Sequence, residues 1–389
     1  MLLQTAAADP LDHVEVVGRP ALEAIGDEWN SLAGDIAFRR HEWLATWWRH
    51  YQMPGDELMV VALRDAGGTL TGLAPWYVTH SRWSGRVVRF LGSGKVCSEH
   101  LTVLCRAGAE AAVTRRLAEW LVDEARDLWD LIELTGVDGA DPVAAELLRQ
   151  MRLRGHTVHE RRQHVAWRIE LPGTFDEFLG RLSGKRRGRV RAAQRRMFDS
   201  GRAVARGAQS PADVRQGLDL LQRLHEQRRQ SLGGSGCFST PRFADFLHEA
   251  AEKFLAHERL QLDWLELDGR AAAAEFKLLG GDTLYYYQVG MDPALAAESP
   301  GWLLQIASLR RAIDDGCRWF DFLRGDEEYK ASWGARPFAL VEARIVSRRP
   351  AAQWRHRLWL AGSRVKHWRG KKPNAIGDCS VGNGLRAVP

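Results

Sequence analysis

The chain has 389 residues, of which 45% are hydrophobic and 27% are charged, and its net charge is +6. This composition is typical of a globular protein and the length allows two domains, which excludes a fibrous or disordered chain. No stretch approaches the roughly 18 consecutive apolar residues of a transmembrane helix, and we expect a cytoplasmic protein without a signal peptide. The five cysteines are scattered without a C-x-x-C pair, which argues against a disulfide framework or a zinc site.

The positive charge is concentrated at the C-terminal end of the sequence. From Arg348 to Pro389 there are ten arginine and lysine residues and one acid, so the rest of the chain is mildly acidic. The high isoelectric point therefore does not indicate a global preference for nucleic acid. Because Trp354, Trp359 and Trp368 lie among these charges, we expect either a helix on an anionic membrane surface or one packed on the body of the protein.

The first half of the chain contains a predicted hairpin, a helix and a strand. Residues 58–78 (LMVVALRDAGGTLTGLAPWYV) predict two strands joined by a glycine turn. A helical pattern follows over 108–127, and Asp130–Leu134 predicts the next strand. This order is an α/β arrangement.

A basic run separates the two halves. Between Arg181 and Arg202 there are nine arginine and lysine residues and one acid, Asp199. The run is interpreted either as a solvated helical face or as a surface for a polyanion, such as the 3′-phosphate of a coenzyme, an anionic glycan or RNA. Its one aromatic residue is Phe198, so the base-stacking pattern of single-strand nucleic-acid binding is missing.

The second half repeats the order of the first. Gln261–Asp268 and Arg270–Leu279 predict a hairpin, and Thr283–Gly290 predicts a third strand. A helix over 300–315 and a strand at Arg318–Leu323 follow. The halves lie about 200 residues apart, which indicates a duplicated α/β unit unless two common hairpin patterns have converged.

The start of the second-half helix has features of a phosphate site. Ser299 is a favoured N-cap, Pro300 suits the first helical position, and Gly301 has no Cβ to keep a phosphate oxygen from the backbone. This first turn continues with Trp302 and Leu303, and its free N–H groups would bind a phosphate of a nucleotide-bearing cofactor. Ser-Pro-Gly also begins helices that bind nothing.

Four stretches together resemble GNAT-type acyltransferases: LDGRAAAAEFKL, TLYYYQVGMDP, SPGWLLQIASLRRAI and FDFLRGDEEYKASW. More narrowly, with HEWLATWWRHY (41–51) and LHEQRRQSLGGSGCF (224–238), they resemble the CelD/BcsL-like family, whose members are labelled as acetyltransferases of cellulose or exopolysaccharide biosynthesis. The chain departs from typical GNAT sequences in lacking the Q/R-x-x-G-x-G/A signature, with Gly301 alone at the corresponding helix start.

The resemblance implies an α/β, tandem GNAT-like fold with two mixed-sheet lobes. It implies a degenerate N-terminal lobe over 1–170, a C-terminal lobe with the acyl-CoA site over 171–347, and a basic tail over 348–389. The implied co-substrate is acyl-CoA, acetyl-CoA in particular, and no metal is implied.

Acyl transfer from a thioester needs a base for the nucleophile, a donor for the developing oxyanion and an acid for the thiolate. The resemblance places the thioester carbonyl where strand 283–290 splays from its neighbour, so the backbone N–H groups of Gln288 and Val289 are the predicted oxyanion donors. It also makes Tyr329, on a short helix after the next strand, the predicted general acid, although a packing tyrosine is equally consistent.

Three residues compete for the role of base. His225 has the best unperturbed pKa for the task. Glu275 interrupts an apolar strand and is expected to face a cleft or solvent, and Asp321 interrupts the apolar pattern WFDFL. Each of the three also fits a structural role, Asp321 as the ion-pair partner of Arg324 at the strand end.

The predicted substrate contacts come from aromatic and basic residues. Tyr285 and Tyr287 share one face of their strand, where they would bind a sugar or an acyl chain or else pack in the core. Arg228, Arg324 and Lys330 are expected to bind substrate anions or to be exposed charges.

The sequence therefore predicts a transferase that moves an acyl group from acyl-CoA to a hydroxyl or amine. The acceptor would be a small molecule or saccharide, such as an envelope precursor, with peripheral membrane contact through the basic tail. One alternative is a Fem-like aminoacyl transferase, in which the 181–202 run would hold charged tRNA, although the pattern does not favour nucleic acid. The other alternative is a non-catalytic binding protein on the same fold.

Overall fold

The computed structural model describes residue 11 and residues 13–368, with the backbone alone for 363–368. The side chain of Trp368 and residues 369–389 of the predicted basic tail lie outside this described part. No helix within it is both long and apolar enough to cross a bilayer.

The elements follow the sequence predictions closely, each predicted strand and helix of both halves being present within a few residues. The strands are β1 (His13–Val17), β2 (Glu57–Arg64), β3 (Leu70–Ser81), β4 (Gly85–Phe90), β5 (Leu104–Cys105), β6 (Leu131–Asp138), β7 (Thr157–Glu170), β8 (Ala203–Gly207), β9 (Leu260–Leu267), β10 (Arg270–Gly280), β11 (Thr283–Met291), β12 (Trp319–Arg324) and β13 (Arg336–Val346). The helices are α1 (Arg19–Leu22), α2 (Gly26–Ala33), α3 (His41–Tyr51), α4 (Glu110–Asp123), α5 (Pro142–Leu153), α6 (Phe175–Arg181), α7 (Gly184–Ala193), α8 (Pro211–Ser231), α9 (Pro241–Ala256), α10 (Pro300–Asp314), α11 (Glu328–Ser332) and α12 (Pro350–Trp368).

The chain forms two compact units. In its described part, the first unit comprises residues 11–34, 38–163 and 339–368, and the second comprises 35–37 and 164–338. The first unit has the strand order β1-β2-β3-β4-β6-β13, and the second has β8-β9-β10-β11-β12-β7. Among the described strands of each unit, one neighbouring pair is parallel, β4 with β6 and β11 with β12, and the other pairs are antiparallel.

The identical strand order of the two units confirms the predicted α/β fold class with tandem GNAT-like lobes. It also shows an exchange of strands that the sequence boundaries did not predict. β7 follows the first half in sequence, yet Ala166–Glu170 pair with β12 of the second unit. β13 follows the second half, yet Leu340–Val346 pair with β6 of the first unit. The segment 339–347 therefore lies in the first unit, although it was predicted in the C-terminal lobe, and 164–170 lies in the second unit, although it was predicted in the N-terminal lobe.

In the second unit, two helices pack on opposite faces of the sheet. A Cβ on Gly217 of α8 would lie 2.7 Å from Leu262 on β9, so glycine permits this close approach. The next residue, Asp263, instead accepts a hydrogen bond from Arg311 of α10 at 2.9 Å. Because successive strand residues point to opposite faces, α8 covers one face, here named the α8 face, and α10 covers the other, the α10 face.

Apolar packing holds α10 on its face of the sheet. Leu303, Leu304, Ile306 and Leu309 are at most 2% exposed. Burial of each such side chain contributes about 1.5–3 kcal/mol. This packing places the N-terminus of α10 beside the end of β11.

The start of α12 packs on the first unit. The Trp359 ring lies under the guanidinium groups of Arg344, at 4.1 Å, and Arg161, at 5.0 Å. Trp354 on the same helix is 64% exposed. The expectation of packing through tryptophans therefore holds for Trp359 and not for Trp354.

Candidate active site

The third and fourth strands of the second unit separate part of the way along their length. β11 pairs with β12 only from Thr283–Tyr285 against Trp319–Asp321, and β11 then continues alone on that side to Met291. On its other side, the register with β10 shifts at Tyr287, which is the extra residue of a bulge. The predicted splay of strand 283–290 is thus present in the structure.

The backbone of Val289 points into the splay. Asp292 N–H donates to the carbonyl of Ala272 on the β10 side. In an antiparallel ladder these bonds recur every second residue, so Gln288 and Gly290 also face β10, and Val289 faces away from it. Of the two predicted oxyanion donors, the N–H of Gln288 therefore faces β10 and the N–H of Val289 faces away from it.

His225 on α8 is fixed at this point. Its Nδ1 donates to the carbonyl oxygen of Val289 at 3.0 Å, and the residue is 3% exposed. Burial lowers the pKa of His225 to about 4, which outweighs the opposing effect of the backbone hydrogen bond. The imidazole is therefore neutral at neutral pH, with the proton on Nδ1 and the lone pair on Nε2, as a general base requires.

Cys237 lies beside the free nitrogen of this histidine. Its Sγ is 3.7 Å from His225 Nε2 and 3.6 Å from Gln288 Oε1. A Cβ on Gly236 would lie 2.4 Å from His225 Nε2, so the loop before Cys237 can pass over the ring only with glycine at 236. The sequence analysis missed Cys237, because a cysteine that follows a histidine by twelve residues, across a loop, matches no motif. The glycine-rich run before Cys237 was the one feature of the sequence that could have indicated a close approach.

Glu275 lies on the α10 face and is 0% exposed, so the expectation that it faces a cleft or solvent was wrong. It accepts from Lys277 at 3.0 Å, from Ser308 at 2.5 Å and from the Tyr286 hydroxyl at 3.0 Å. These three donors stabilise a carboxylate in the core. The structure does not bring Glu275 together with His225, because the two lie on opposite faces of the sheet.

The buried charge of Glu275 belongs to a network centred on Lys277. The Lys277 ammonium also donates to Asp263 at 2.8 Å and to Ser308 at 2.6 Å. Burial acts to lower the pKa of Lys277, but the carboxylates of Asp263 and Glu275 outweigh it and the pKa is raised. Lys277 therefore stays charged and holds the two carboxylates in place.

The three tyrosines divide as predicted. Tyr286 points to the α10 face, where its hydroxyl meets Glu275. Tyr287 points to the α8 face and packs on Phe243 of α9 and Phe276 of β10. Tyr285 is 4% and Tyr287 3% exposed, so both are largely in the core.

Asp321 belongs to the α8 face. Its neighbours Phe320 and Phe322 both contact Tyr286 on the α10 face, so the side chain between them points the other way. Asp321 is 2% exposed and accepts from the backbone N–H of Leu323 at 2.7 Å. It shares this face with His225, and Arg324 ends the strand.

Lys330 and Tyr329 lie on α11, and neither is exposed. Lys330 is 0% exposed and its ammonium meets Glu327 at 2.9 Å and the carbonyls of Leu323 and Arg324, so the expectation of an exposed charge was wrong. Burial, and then the carboxylates of Glu327 and Glu275, raise the pKa of Tyr329 well above its usual range. Tyr329 therefore keeps its proton at neutral pH.

The N-terminus of α10 departs from the expected cap. Ser299 precedes the helix in a left-handed conformation, with φ of 54°, and its side chain makes no capping hydrogen bond. Pro300 and Leu303 are buried. The Cβ position of Gly301 faces the methyl group of Met291 at 2.8 Å, so close packing against β11 accounts for the glycine.

Two arginines of α7 lie at this helix start. The Arg189 guanidinium is 4.4 Å from the ring centroid of Trp302, and that of Arg186 is 5.2 Å from Trp333. The two indoles stack at 6.1 Å. Within residues 13–368 neither arginine has a carboxylate within 4.0 Å, and burial followed by repulsion from Arg189 lowers the pKa of Arg186. Two cations with no acidic partner thus flank the α10 start.

Arg228 lies three residues after His225 on α8 and is half-buried. Burial, and then the charge of Arg229, lower its pKa. In the described part of the chain, no group of three or more histidines, cysteines or acids is placed to hold a metal ion.

Tyr287 is thus a bulge residue beside the splay between β11 and β12, and the start of α10 lies beyond the end of β11. Residues 184–331 match the family model described as an acetyltransferase (GNAT) domain. This matched stretch runs from α7 to α11 and is less than half of the chain. A search of curated protein sequences gave no match.

Solved structures share the fold over nearly the whole chain. FemX matches with a TM-score of 0.62 at 11% identity, over 88% of this chain and 99% of its own. A conserved protein of unknown function from Bacteroides thetaiotaomicron matches with a TM-score of 0.55 at 12% identity, over 86% and 99%. The C-terminal domain of a protein described as a lysylphosphatidylglycerol synthetase from Agrobacterium fabrum matches with 0.51 at 10% identity, over 89% and 97%. At these identities the likeness shows the fold alone.

Proposed function

We propose that the protein transfers an acyl group from acyl-CoA, with acetyl-CoA as the first donor to test, to a hydroxyl or amine acceptor. The observation that carries the proposal is the backbone of Val289, which faces the splay between β11 and β12 in a domain matched by the GNAT model. An N–H group there donates to the thioester oxygen as negative charge develops on it.

His225 supplies the base in this proposal. Its neutral ring, anchored through Nδ1 to Val289, presents Nε2 to the proton of the incoming nucleophile. Glu275 is left out of the proposed chemistry because Lys277, Ser308 and Tyr286 occupy its oxygens. Asp321 and Tyr329 remain proposals for a second proton carrier, on the α8 and α10 faces respectively.

The phosphates of the donor are proposed to bind at the start of α10. Arg186 and Arg189 carry positive charge to this helix N-terminus, where the helix dipole also favours an anion. Arginines from α7 would thus take the place of the glycine-rich signature that the sequence lacks. The exposed part of the basic run would then bind the phosphates of the donor.

The acceptor class follows from the resemblance to the CelD/BcsL-like family, which points to a saccharide or envelope precursor. Arg228 and Arg324 are proposed to contact its anionic groups, and Tyr287 to border the acyl group on the α8 face. Lys330 is not proposed to bind substrate, because its ammonium is paired with Glu327 and donates to two backbone carbonyls.

Calorimetric titration with acetyl-CoA and longer acyl-CoAs tests the donor. Micromolar binding that is lost in Gly301→Glu and kept in Gly301→Ala would support a phosphate site at the α10 start, since both variants meet Met291 but only the carboxylate repels the anion. A panel of amine and hydroxyl acceptors then tests transfer. Absence of heat with every acyl-CoA would overturn the proposal that acyl-CoA is the donor. Salt-dependent binding of charged tRNA would then favour aminoacyl transfer. Binding without any transfer would favour a non-catalytic protein.

A further inference from the structure

Cys237 lies in a different environment from two of the other described cysteines, Cys105 and Cys317. Cys105 and Cys317 have thiols whose pKa burial raises, to about 12 and about 11 respectively. Cys237 is half-buried, and its sulfur lies 3.7 Å from the unprotonated nitrogen of a histidine. A nucleophile beside a base that a third group orients is the arrangement of nucleophilic catalysis. Here the third group is the Val289 carbonyl, which fixes the tautomer.

A buried amide at the same place points to a ligand. Gln288 is 1% exposed, and its Oε1 lies 3.6 Å from Cys237 Sγ. Its Nε2 has no hydrogen-bond partner among the described residues. A buried amide donor left unpaired destabilises the folded protein unless a ligand supplies the missing acceptor. The carbonyl oxygen of an acyl group bonded through its carbon to the Cys237 sulfur would accept that hydrogen bond.

We infer that Cys237 is an acyl-carrying nucleophile, so that transfer proceeds through a thioester between the acyl group and Cys237. The inference rests on the proposed acyl transfer and adds a covalent intermediate to it. Gln288 is inferred to donate to the acyl oxygen at each transfer.

Transfer through Cys237 takes place in two halves, with His225 carrying the proton in each. His225 Nε2 takes the thiol proton, and the Cys237 sulfur attacks the thioester carbonyl. The bond from that carbonyl to the CoA sulfur breaks, and the departing CoA sulfur takes the proton from His225. In the second half, the acceptor hydroxyl or amine gives its proton to His225 and attacks the acyl carbon. The carbon–sulfur bond to Cys237 breaks, and the sulfur regains the proton from His225.

The direct test follows the intermediate on the full-length protein. The protein is mixed with acetyl-CoA without acceptor, quenched in acid, digested and analysed by mass spectrometry, while released CoA thiol is followed in parallel. We expect one acetyl group on the Cys237 peptide and a burst of CoA equal to the protein concentration. Cys237→Ala should lose both yet bind acetyl-CoA unchanged, and Cys105→Ser should behave as the wild type.

A second probe separates this inference from the proposed donor. Para-nitrophenyl acetate carries an activated acyl group without the nucleotide. Acetylation of Cys237 by this ester, lost in His225→Gln, would support the nucleophile even if acyl-CoA did not bind, and the proposed donor alone would then fail. Transfer from acetyl-CoA by Cys237→Ala at the wild-type rate, with no acetyl group on Cys237 in the wild type, would overturn the inference and leave the proposed function standing.

The role of Gln288 is tested separately by the steady-state kinetics of its alanine variant. Gln288→Ala should lower kcat of acyl transfer by about 10²-fold, the usual effect of removing one oxyanion donor, with little change in the KM for acetyl-CoA. A loss confined to KM would show that the amide only binds substrate, and would overturn its role at the acyl oxygen.

Discussion

The Nδ1 of His225 lies 3.0 Å from the carbonyl oxygen of Val289, which ties helix α8 to strand β11 just past the place where β11 leaves β12. The bond fixes the imidazole tautomer and places the ring at the splay. Burial lowers the pKa of the ring, so it is neutral where the protein would work.

Removing the imidazole should slow the reaction. His225→Gln keeps a side-chain amide that can donate to the Val289 carbonyl but has no titratable nitrogen. We expect acyl transfer to fall by about 10²–10⁴-fold, the usual contribution of a general base. Steady-state rates at saturating acetyl-CoA measure it. An unchanged rate together with an unchanged fold would show that His225 is structural.

The close approach of Gly236 to His225 can be tested without changing any polar group. Gly236→Ala would put a methyl group 2.4 Å from Nε2, so the ring must move. We expect a rate loss on the order of 10²-fold from this misplacement. Gly234→Ala is the matched control, because no atom lies within 4 Å of its Cβ position. Equal rates in the two variants would contradict the described loop.

Protein stability should fall in acid because of the buried histidine. The pKa of His225 is about 4 in the folded protein against 6.5 in an exposed histidine, so the unfolded chain binds more protons between these values. The contribution of neutral His225 to the free energy of unfolding is therefore fully present above about pH 6.5. It is lost as the pH falls toward 4, and the loss for this group is at most about 3 kcal/mol. Denaturant unfolding at a series of pH values measures the slope. His225→Gln should show a shallower slope than the wild type.

The buried charge network makes a prediction about stability alone. Lys277→Met would leave Asp263 and Glu275 buried without their shared cation, and we expect a loss of about 3–5 kcal/mol. Arg202→Ala removes an ion pair with Asp268 whose side chains are 45% and 58% exposed, and should change stability little. Chemical denaturation compares the two variants. Similar midpoints would show that the network does not stabilise the fold.

The α10 start can be probed through α7. Arg189→Ala should weaken acetyl-CoA binding by about tenfold, the loss expected when one charge-assisted contact worth about 1.5 kcal/mol is removed. Arg191→Ala, two residues along the same helix and exposed, is the control and should bind normally. Calorimetry gives both dissociation constants. Equal weakening in both variants would indicate a diffuse charge effect and no specific phosphate contact.

Local patterns predicted most of the fold. The alternation in β9 and β10, the glycine turns and the helical period after Ser299 are all properties of neighbouring residues, so the strands, turns and helices of both halves could be read directly. The exchange of β7 and β13 could not, because strand pairing depends on the whole topology. The places of 164–170 and 339–347 differ from the predicted lobes for that reason.

The site was predictable only in part. The alternation correctly put Tyr286 and Tyr287 on opposite faces, but it could not show that Lys277 and Ser308 bury Glu275. Cys237 was missed because its partner His225 is brought near by a loop. Buried contacts between distant residues decide these cases, and a single sequence does not contain their distances.

Binding of the acyl thioester at the backbone of Val289 is best measured through the amide resonance of that residue. Protein labelled with ¹⁵N-valine would be titrated with acetyl-CoA and, separately, with CoA. We expect a downfield shift of the Val289 amide with acetyl-CoA that is smaller or absent with CoA, because the thioester oxygen accepts its hydrogen bond. Saturable binding of acetyl-CoA with an unmoved Val289 resonance would contradict it.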